Sequence, residues 1–102
     1  MEKRESIFNS IDENREQMIE LQSLLTSKPA LAPENDGDGE WQKAVALYSW
    51  LTDNGFSQIE WFDAPDNRVS SGKRPNIVVT IPGEQSDERL WIMTHLDIVP
   101  PG

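Results

Sequence analysis

The sequence lacks cysteine altogether, contains one histidine, and has half as many basic as acidic residues. Without cysteine it can form neither a disulfide framework nor a thiolate zinc site, and it offers no thiol nucleophile. Nine lysines and arginines stand against 18 aspartates and glutamates, for a net charge of -9. This balance argues against nucleic acid and against anionic membranes as partners, because both are bound through a basic face.

Long hydrophobic runs are missing as well. The apolar stretches are far too short to span a bilayer. The charged start, residues 1–5, is not followed by the apolar segment of a secretory signal. We therefore expect a soluble, cytoplasmic protein, and 102 residues leave room for one domain at most.

Two segments have the hydrophobic pattern of helices. Residues 4–26 repeat apolar side chains at helical spacings, although Ser10 and Glu13 also fit a capping box that would start the regular helix near Ile11. Residues 40–53 predict a second helix, with Asp38 as N-cap and a glycine stop at residues 54–55. Because this helix is apolar around most of its circumference, we expect it to be covered on more than one side.

Three apolar segments predict strands, at residues 59–62, 77–81 and 90–94. The last two are continuously apolar, which is typical of strands covered on both faces. Residues 64–75 are polar and contain two prolines, so we expect an exposed loop there. The order of two helices and then three strands predicts a layered α/β domain. Two helices provide little cover for such a sheet, which suggests an incomplete domain.

The clearest candidate for chemistry is the pair His95 and Asp97. Side chains alternate in an extended chain, so these two point to one side and Leu96 and Ile98 to the other. An imidazole beside a carboxylate is a common form of a metal ligand with its orienting partner. The simpler alternative is a structural His–Asp pair that closes the end of a strand.

Other motifs carry weaker signals. The acidic loop at residues 35–40 lacks the ligand spacing of a calcium loop, so we interpret it as a solvated loop with a helix cap. Residues 70–73 lack the leading glycine of a phosphate loop and predict a turn. The four tryptophans suit packing contacts better than base stacking, given the acidic charge.

Three motifs in order resemble one family of enzymes. Residues 94–102 are similar to the first signature, His-x-Asp-x-Val-Pro, of the zinc-dependent aminoacylase, acetylornithine deacetylase and succinyl-diaminopimelate desuccinylase family, which includes metallopeptidases. Residues 76–83 resemble the strand that precedes this signature, and residues 29–34 with 39–40 resemble the proline-rich loop that opens a helix. The resemblance covers about residues 20–102, with Thr94 where many relatives have glycine.

The resemblance implies a fold and a chemistry. Residues 1–102 would be the N-terminal portion of a three-layer catalytic domain, in which helices flank a mixed β-sheet, and a smaller domain would make the full-length protein a homodimer. His95 would be a metal ligand and Asp97 the catalytic-site aspartate that steadies it. Two zinc ions, or cobalt or manganese, would activate water to cleave an N-acyl amino acid or a small peptide. The segment alone is expected to be inactive, because the other ligands and the general base would follow Gly102.

Two further interpretations stay open at this point. The chain could be a non-catalytic stub that serves as an interaction module, since an incomplete fold leaves a strand edge and apolar surface exposed. It could also belong to another class of metal hydrolase, such as a phosphoesterase. The residues that follow Gly102 would separate these possibilities.

Overall fold

A computed structural model describes residues 2–102 and begins with two consecutive helices, α1 (Lys3–Glu13) and α2 (Arg15–Thr26). They meet at Asn14, whose side-chain amide and backbone N–H both donate to the carbonyl of Ser10, at 2.7 and 3.2 Å. Ser10 therefore lies inside α1, and the predicted capping box with a helix start near Ile11 is wrong. Neither helix buries a side chain completely.

The third helix, α3 (Trp41–Asp53), ends as the sequence predicts. Gly55 has φ 90°, a left-handed conformation that glycine adopts without steric cost. The N–H of Phe56 donates to the carbonyl of Leu51 at 3.0 Å, and that of Gly55 to the carbonyl of Thr52 at 3.2 Å. These two bonds form a Schellman motif, which satisfies carbonyls that the helix end would leave unpaired.

The start of α3 differs from the prediction. Glu40 occupies the position before the helix and makes no side-chain capping bond. The predicted cap, Asp38, instead accepts a hydrogen bond from the backbone N–H of Ser70 at 2.7 Å. The prediction was wrong because a residue 32 positions away competes for the same carboxylate, and a local pattern carries no information about it.

A β-ribbon follows α3. Its strands are β1 (Ile59–Trp61), β2 (Ala64–Pro65), β3 (Lys73–Arg74) and β4 (Ile77–Val79), and they form two antiparallel pairs, β1 with β4 and β2 with β3. The residue numbers of the two facing residues have the same sum at every position of both strand pairs. The two pairs therefore share one continuous register. The hydrogen bond from Phe62 N–H to the Asn76 carbonyl, 2.8 Å long, continues it across the gap.

The α/β class is confirmed, but its details differ from the prediction. Residues 2–102 form three α-helices and a short 3-10 helix (Pro33–Asn35) rather than two helices, and their strands form short antiparallel pairs rather than one sheet of three. Residues 64–75, predicted as an exposed loop, form the far half of the ribbon and bury Val69. The prediction of a loop was wrong because prolines and polar residues are typical both of exposed loops and of turns that connect two paired strands.

Helix α3 packs one face against the ribbon. The ring of Trp61 lies 5.4 Å from that of Trp41 and 5.4 Å from that of Tyr48, measured between centroids. The buried residues of α3 are Lys43 and Ala44. Val45, also on α3, is exposed, so the expected cover on several sides of this helix is only partly present within residues 2–102.

Residues 81–102 form no strand of the described structure. The predicted strand at residues 90–94 is therefore wrong: Leu90 is 89% exposed and Trp91 65% exposed. Strand β4 already pairs with β1, and no described segment supplies a ladder for residues 90–94. Apolar side chains alone do not make a segment a β-strand, because its backbone N–H and C=O groups also need hydrogen-bond partners. None of the helices within residues 2–102 is long and apolar enough to cross a membrane.

Candidate functional site

The structure brings His95 and Asp97 into direct contact. Nδ1 of His95 lies 2.7 Å from the backbone carbonyl oxygen of Asp97 and 3.1 Å from its carboxylate oxygen Oδ1. The histidine side chain is 82% exposed and the aspartate side chain 41% exposed. The pair therefore lies at the surface, with the ring held through one nitrogen.

This geometry determines which ring nitrogen carries a proton. A carbonyl oxygen and a carboxylate oxygen are both acceptors, so Nδ1 must donate. In the neutral ring the lone pair then belongs to Nε2, on the far side of the imidazole from Asp97. A neutral imidazole with its lone pair open to solvent is able to bind a metal ion or to accept a proton.

The backbone carbonyl of Asp97 is a feature that the sequence interpretation missed. We expected the carboxylate to hold the ring, whereas the carbonyl of the same residue is the closer acceptor. Any residue at position 97 would provide that carbonyl. The carboxylate of Asp97 consequently adds charge and a second acceptor to a contact that the backbone already makes.

The segment that carries the pair is attached to the loop after α2. The backbone N–H of Ile98 donates to the carbonyl of Ala30 at 3.0 Å, and Leu31 faces Ile98 in an isolated parallel bridge. Ala30 is completely buried. The position of His95 and Asp97 relative to the rest of the chain thus depends on residues 30 and 31.

Within residues 2–102, no group of three or more histidine, aspartate or glutamate side chains is arranged to hold a metal ion. His95 and Asp97 supply one ligand and its orienting acid, whereas a catalytic zinc site uses three protein ligands. The acidic loop at residues 35–40 is not gathered around a cation either, because Asp38 is bonded to Ser70.

A second group of charged residues, which we name the charge cluster, joins this loop to the tip of the ribbon. The guanidinium of Arg74 binds both carboxylate oxygens of Glu40, with its shortest contacts at 2.8 Å, and reaches Asp66 at 3.4 Å. Arg68 binds Asp66 at 2.8 Å and Glu34 at 3.0 Å. Five charged side chains, Glu34, Glu40, Asp66, Arg68 and Arg74, therefore link two segments distant in sequence.

The cluster is graded in burial. Glu40 is buried, and the Arg74 side chain is 21% exposed, whereas that of Arg68 is 53% exposed. Hydrogen bonds from Arg68 hold the pKa of Asp66 well below its usual range. Hydrogen bonding to Glu40 raises the pKa of Arg74, which is therefore charged at any pH where the protein folds.

Sequence inspection missed this cluster because Arg74 and Glu40 are 34 residues apart. The pairing of Asp66 with Arg68 does have a local signal, since an aspartate bonded to the N–H two residues on is typical of a turn. The turn predicted at residues 70–73 is present one position earlier: the N–H of Gly72 donates to the carbonyl of Val69 at 3.0 Å, and Lys73 already belongs to β3.

The tryptophans are divided between two environments. Trp41 and Trp61 pack together, as predicted, and Lys73 places its ammonium 4.4 Å above the Trp41 ring and 3.5 Å from the carboxylate of Asp63. Trp91 is largely exposed, so the packing contact predicted for it is not present within the described residues.

The chain matches no protein-family model, no curated protein sequence and no solved structure.

Proposed function

We propose that this chain is the N-terminal part of the catalytic domain of a zinc-dependent hydrolase of amide bonds, with His95 as a metal ligand and Asp97 as its orienting acid. The observation that carries the proposal is the Nδ1 contact to Asp97, at 2.7 and 3.1 Å, which leaves Nε2 available. Metal-binding histidines commonly donate their other ring N–H to a carboxylate or a carbonyl. The ordered motifs of residues 20–102 add support.

The donors fit zinc as the first part of a site. Imidazole nitrogen suits zinc, and also cobalt and manganese, so the geometry does not depend on one metal. A catalytic site needs three protein ligands, and residues 2–102 do not bring three such groups together. The proposal therefore assigns the other ligands, the second metal ion and the general base to sequence beyond Gly102, and it predicts that residues 1–102 alone are inactive.

Each residue has a definite role in the proposal. When bound, zinc supplies a polarising charge and an acidified water for the hydrolysis of an N-acyl amino acid or a small peptide. His95 provides a neutral nitrogen at Nε2. Asp97 fixes the ring by accepting the proton of Nδ1, and its negative charge makes the imidazole a better donor. Ile98 attaches the segment to Ala30.

The test uses the full protein that carries this sequence. We expect His95→Ala to lower zinc content and to reduce hydrolysis of N-acetyl amino acids, N-succinyl amino acids or dipeptides by more than about 100-fold, because changes outside the ligands already cost about 10- to 100-fold. Asp97→Asn should reduce hydrolysis of the same substrates by about 10- to 100-fold. Asp87→Asn, an exposed aspartate outside the motif, is the matched control. Unchanged zinc content and turnover in His95→Ala would contradict the proposal.

One observation favours a different function. The side chains of residues 90–93 are apolar and exposed, and exposed apolar segments often mark protein interfaces. The alternative is a non-catalytic interaction module. A full protein that contains no zinc and hydrolyses none of these substrates, but whose complex with another protein is lost in Trp91→Glu, would support this alternative over the hydrolase.

A further inference from the structure

The charge cluster lies far along the chain from His95, yet a short series of contacts connects them. Arg74 binds Glu40, the residue before α3, through both carboxylate oxygens. Gly39, the neighbour of Glu40, donates its N–H to the carbonyl of Leu31 at 2.9 Å. Leu31 in turn faces Ile98 across the parallel bridge. The first link joins a partly buried arginine to a buried carboxylate and the others join backbone groups, so a displacement at one end should be transmitted to the other.

The loop between Leu31 and Glu40 is closed tightly, which makes it a rigid link. Besides the bond from Gly39, the N–H of Gly37 donates to the carbonyl of Ala32 at 3.0 Å. A Cβ added at Gly37 would overlap the Leu31 carbonyl oxygen. Backbone packed this closely cannot shift at Glu40 without moving Leu31.

Leu31 and Ala30 present their carbonyls to two different partners. The carbonyl of Leu31 accepts from Gly39, within the loop, and that of Ala30 accepts from Ile98, in the segment that carries the candidate ligand. Because Ala30 and Leu31 are neighbours in the chain, fixing the Leu31 carbonyl also fixes the orientation of the Ala30 carbonyl. From these contacts we propose that Arg74 is a positioning residue for the His95–Asp97 pair, and that it acts through Glu40, Leu31 and Ile98.

The proposal deepens the proposed function, since positioning matters to catalysis only if His95 binds metal. The structural relation can be tested without metal. Ile98 makes its described bond to Ala30 three residues from His95, so its amide reports whether the segment stays attached. The proton at Nδ1 of His95, observed by NMR, reports whether the ring keeps its contact with Asp97.

The experiment measures hydrogen exchange at the Ile98 amide and the tautomer of His95 in the 102-residue chain. We expect Arg74→Gln to speed exchange at Ile98 by about tenfold, as in local opening, and to lower the fraction of rings protonated at Nδ1. Arg74→Lys, which keeps the charge but loses the two-point contact, should have a smaller effect of the same kind. Exchange at Thr80, bonded to Gln58 at the other end of the ribbon, should change by less than about twofold.

Two further variants make the test decisive. Arg68→Gln removes an arginine of the same cluster that does not bind Glu40 and reaches the loop only through the exposed side chain of Glu34, so Ile98 exchange should stay within about twofold of the original chain. Gly37→Ala pushes on Leu31 directly and carries no charge change, and it should release Ile98 as Arg74→Gln does.

Three results would overturn the positioning role. One is unchanged Ile98 exchange in Arg74→Gln, whatever Gly37→Ala does. Another is an equal increase at Ile98 and Thr80, because Arg74 would then only stabilise the whole fold. The third is an unchanged His95 tautomer despite release of Ile98. Zinc titration of the full protein distinguishes the two proposals: if zinc never reaches His95, the proposed function fails, while the Ile98 result still decides the positioning role.

Discussion

Residues 30–80 and residues 81–102 differ in how they are held in place. The first region has charged side chains that bind one another, buried alanines and aromatic rings in contact, so its parts hold each other in place. The second region has a strongly apolar stretch, yet its side chains are exposed and it is attached through Ile98. Apolar composition alone therefore does not predict burial, because a segment also needs partners for its backbone and a surface to cover it.

The largest expected difference concerns two tryptophans. Trp61→Ala should lower the free energy of unfolding by about 2–3 kcal/mol, since a half-buried ring and its two aromatic contacts are lost. Trp91→Ala should change it by less than about 0.5 kcal/mol, because the ring is mostly in water. Urea unfolding followed by far-ultraviolet circular dichroism measures both. Equal losses would mean that residues 81–102 are packed as firmly as the ribbon.

A smaller difference should appear between two arginines of the charge cluster. Arg74→Met leaves the buried carboxylate of Glu40 without its partner, and we expect a loss of about 2 kcal/mol. Arg68→Met removes ion pairs to Glu34 and Asp66 from a guanidinium that is 53% exposed, and it should lower the free energy of unfolding by less than Arg74→Met does. The same urea experiment compares them. If Arg68→Met were the more damaging change, burial would not be what makes the cluster important.

Two glycines give a still smaller effect. Gly55 has φ 90° with open space where a Cβ would be, so Gly55→Ala should cost about 1 kcal/mol through backbone strain alone. Gly83, in the exposed segment, also has open space but no left-handed conformation, and Gly83→Ala should stay within about 0.5 kcal/mol. Thermal unfolding of the two variants measures this contrast. A destabilised Gly83→Ala would show that residues 81–102 are more constrained than their exposure indicates.

The smallest expected effect is on how the thermal stability of the chain depends on pH. The pKa of Asp66 is lower in the folded chain than the usual 3.8, so the folded state favours the ionised form. The stabilisation of the folded state by ionised Asp66 is complete above the pKa that Asp66 has in the unfolded chain, and it is lost as the pH falls towards the lower pKa that it has in the folded chain. The thermal midpoint should therefore decrease between about pH 5 and pH 2. Asp66→Asn and Arg68→Gln should both flatten that decrease, and parallel curves for all three proteins would contradict it.

The sequence was most informative where structure is local. The end of α3 could be predicted because Asn54 and Gly55 act within one turn of the helix. Strands β1 and β4 were also located, although residues 59–62 and 77–81 were predicted slightly longer than they are, whereas β2 and β3 were missed within the predicted loop at residues 64–75. The interruption at Asn14 was misplaced, because one apolar pattern runs through both α1 and α2 and the side-chain bond to Ser10 leaves no mark in it.

The candidate site was only partly accessible to the same reasoning. The spacing of His95 and Asp97 was sufficient to predict that their side chains share one side, since that follows from alternation along an extended chain. The shorter contact to the Asp97 carbonyl was not predictable, because it depends on the backbone conformation around Leu96. The attachment to Ala30 was equally hidden, since the two segments are far apart in sequence.

By itself the sequence determined the acidic charge, the α/β class, the left-handed stop at Gly55 and the presence of an imidazole beside an acid. Each depends on residue types or on neighbours within a few positions. Only the tertiary structure decided that Arg74 would bind Glu40, that Asp38 would bind Ser70 rather than cap a helix, and that Ile98 would meet Ala30. Those contacts join residues more than 30 positions apart, and their partners are selected by how the chain closes on itself rather than by any local preference.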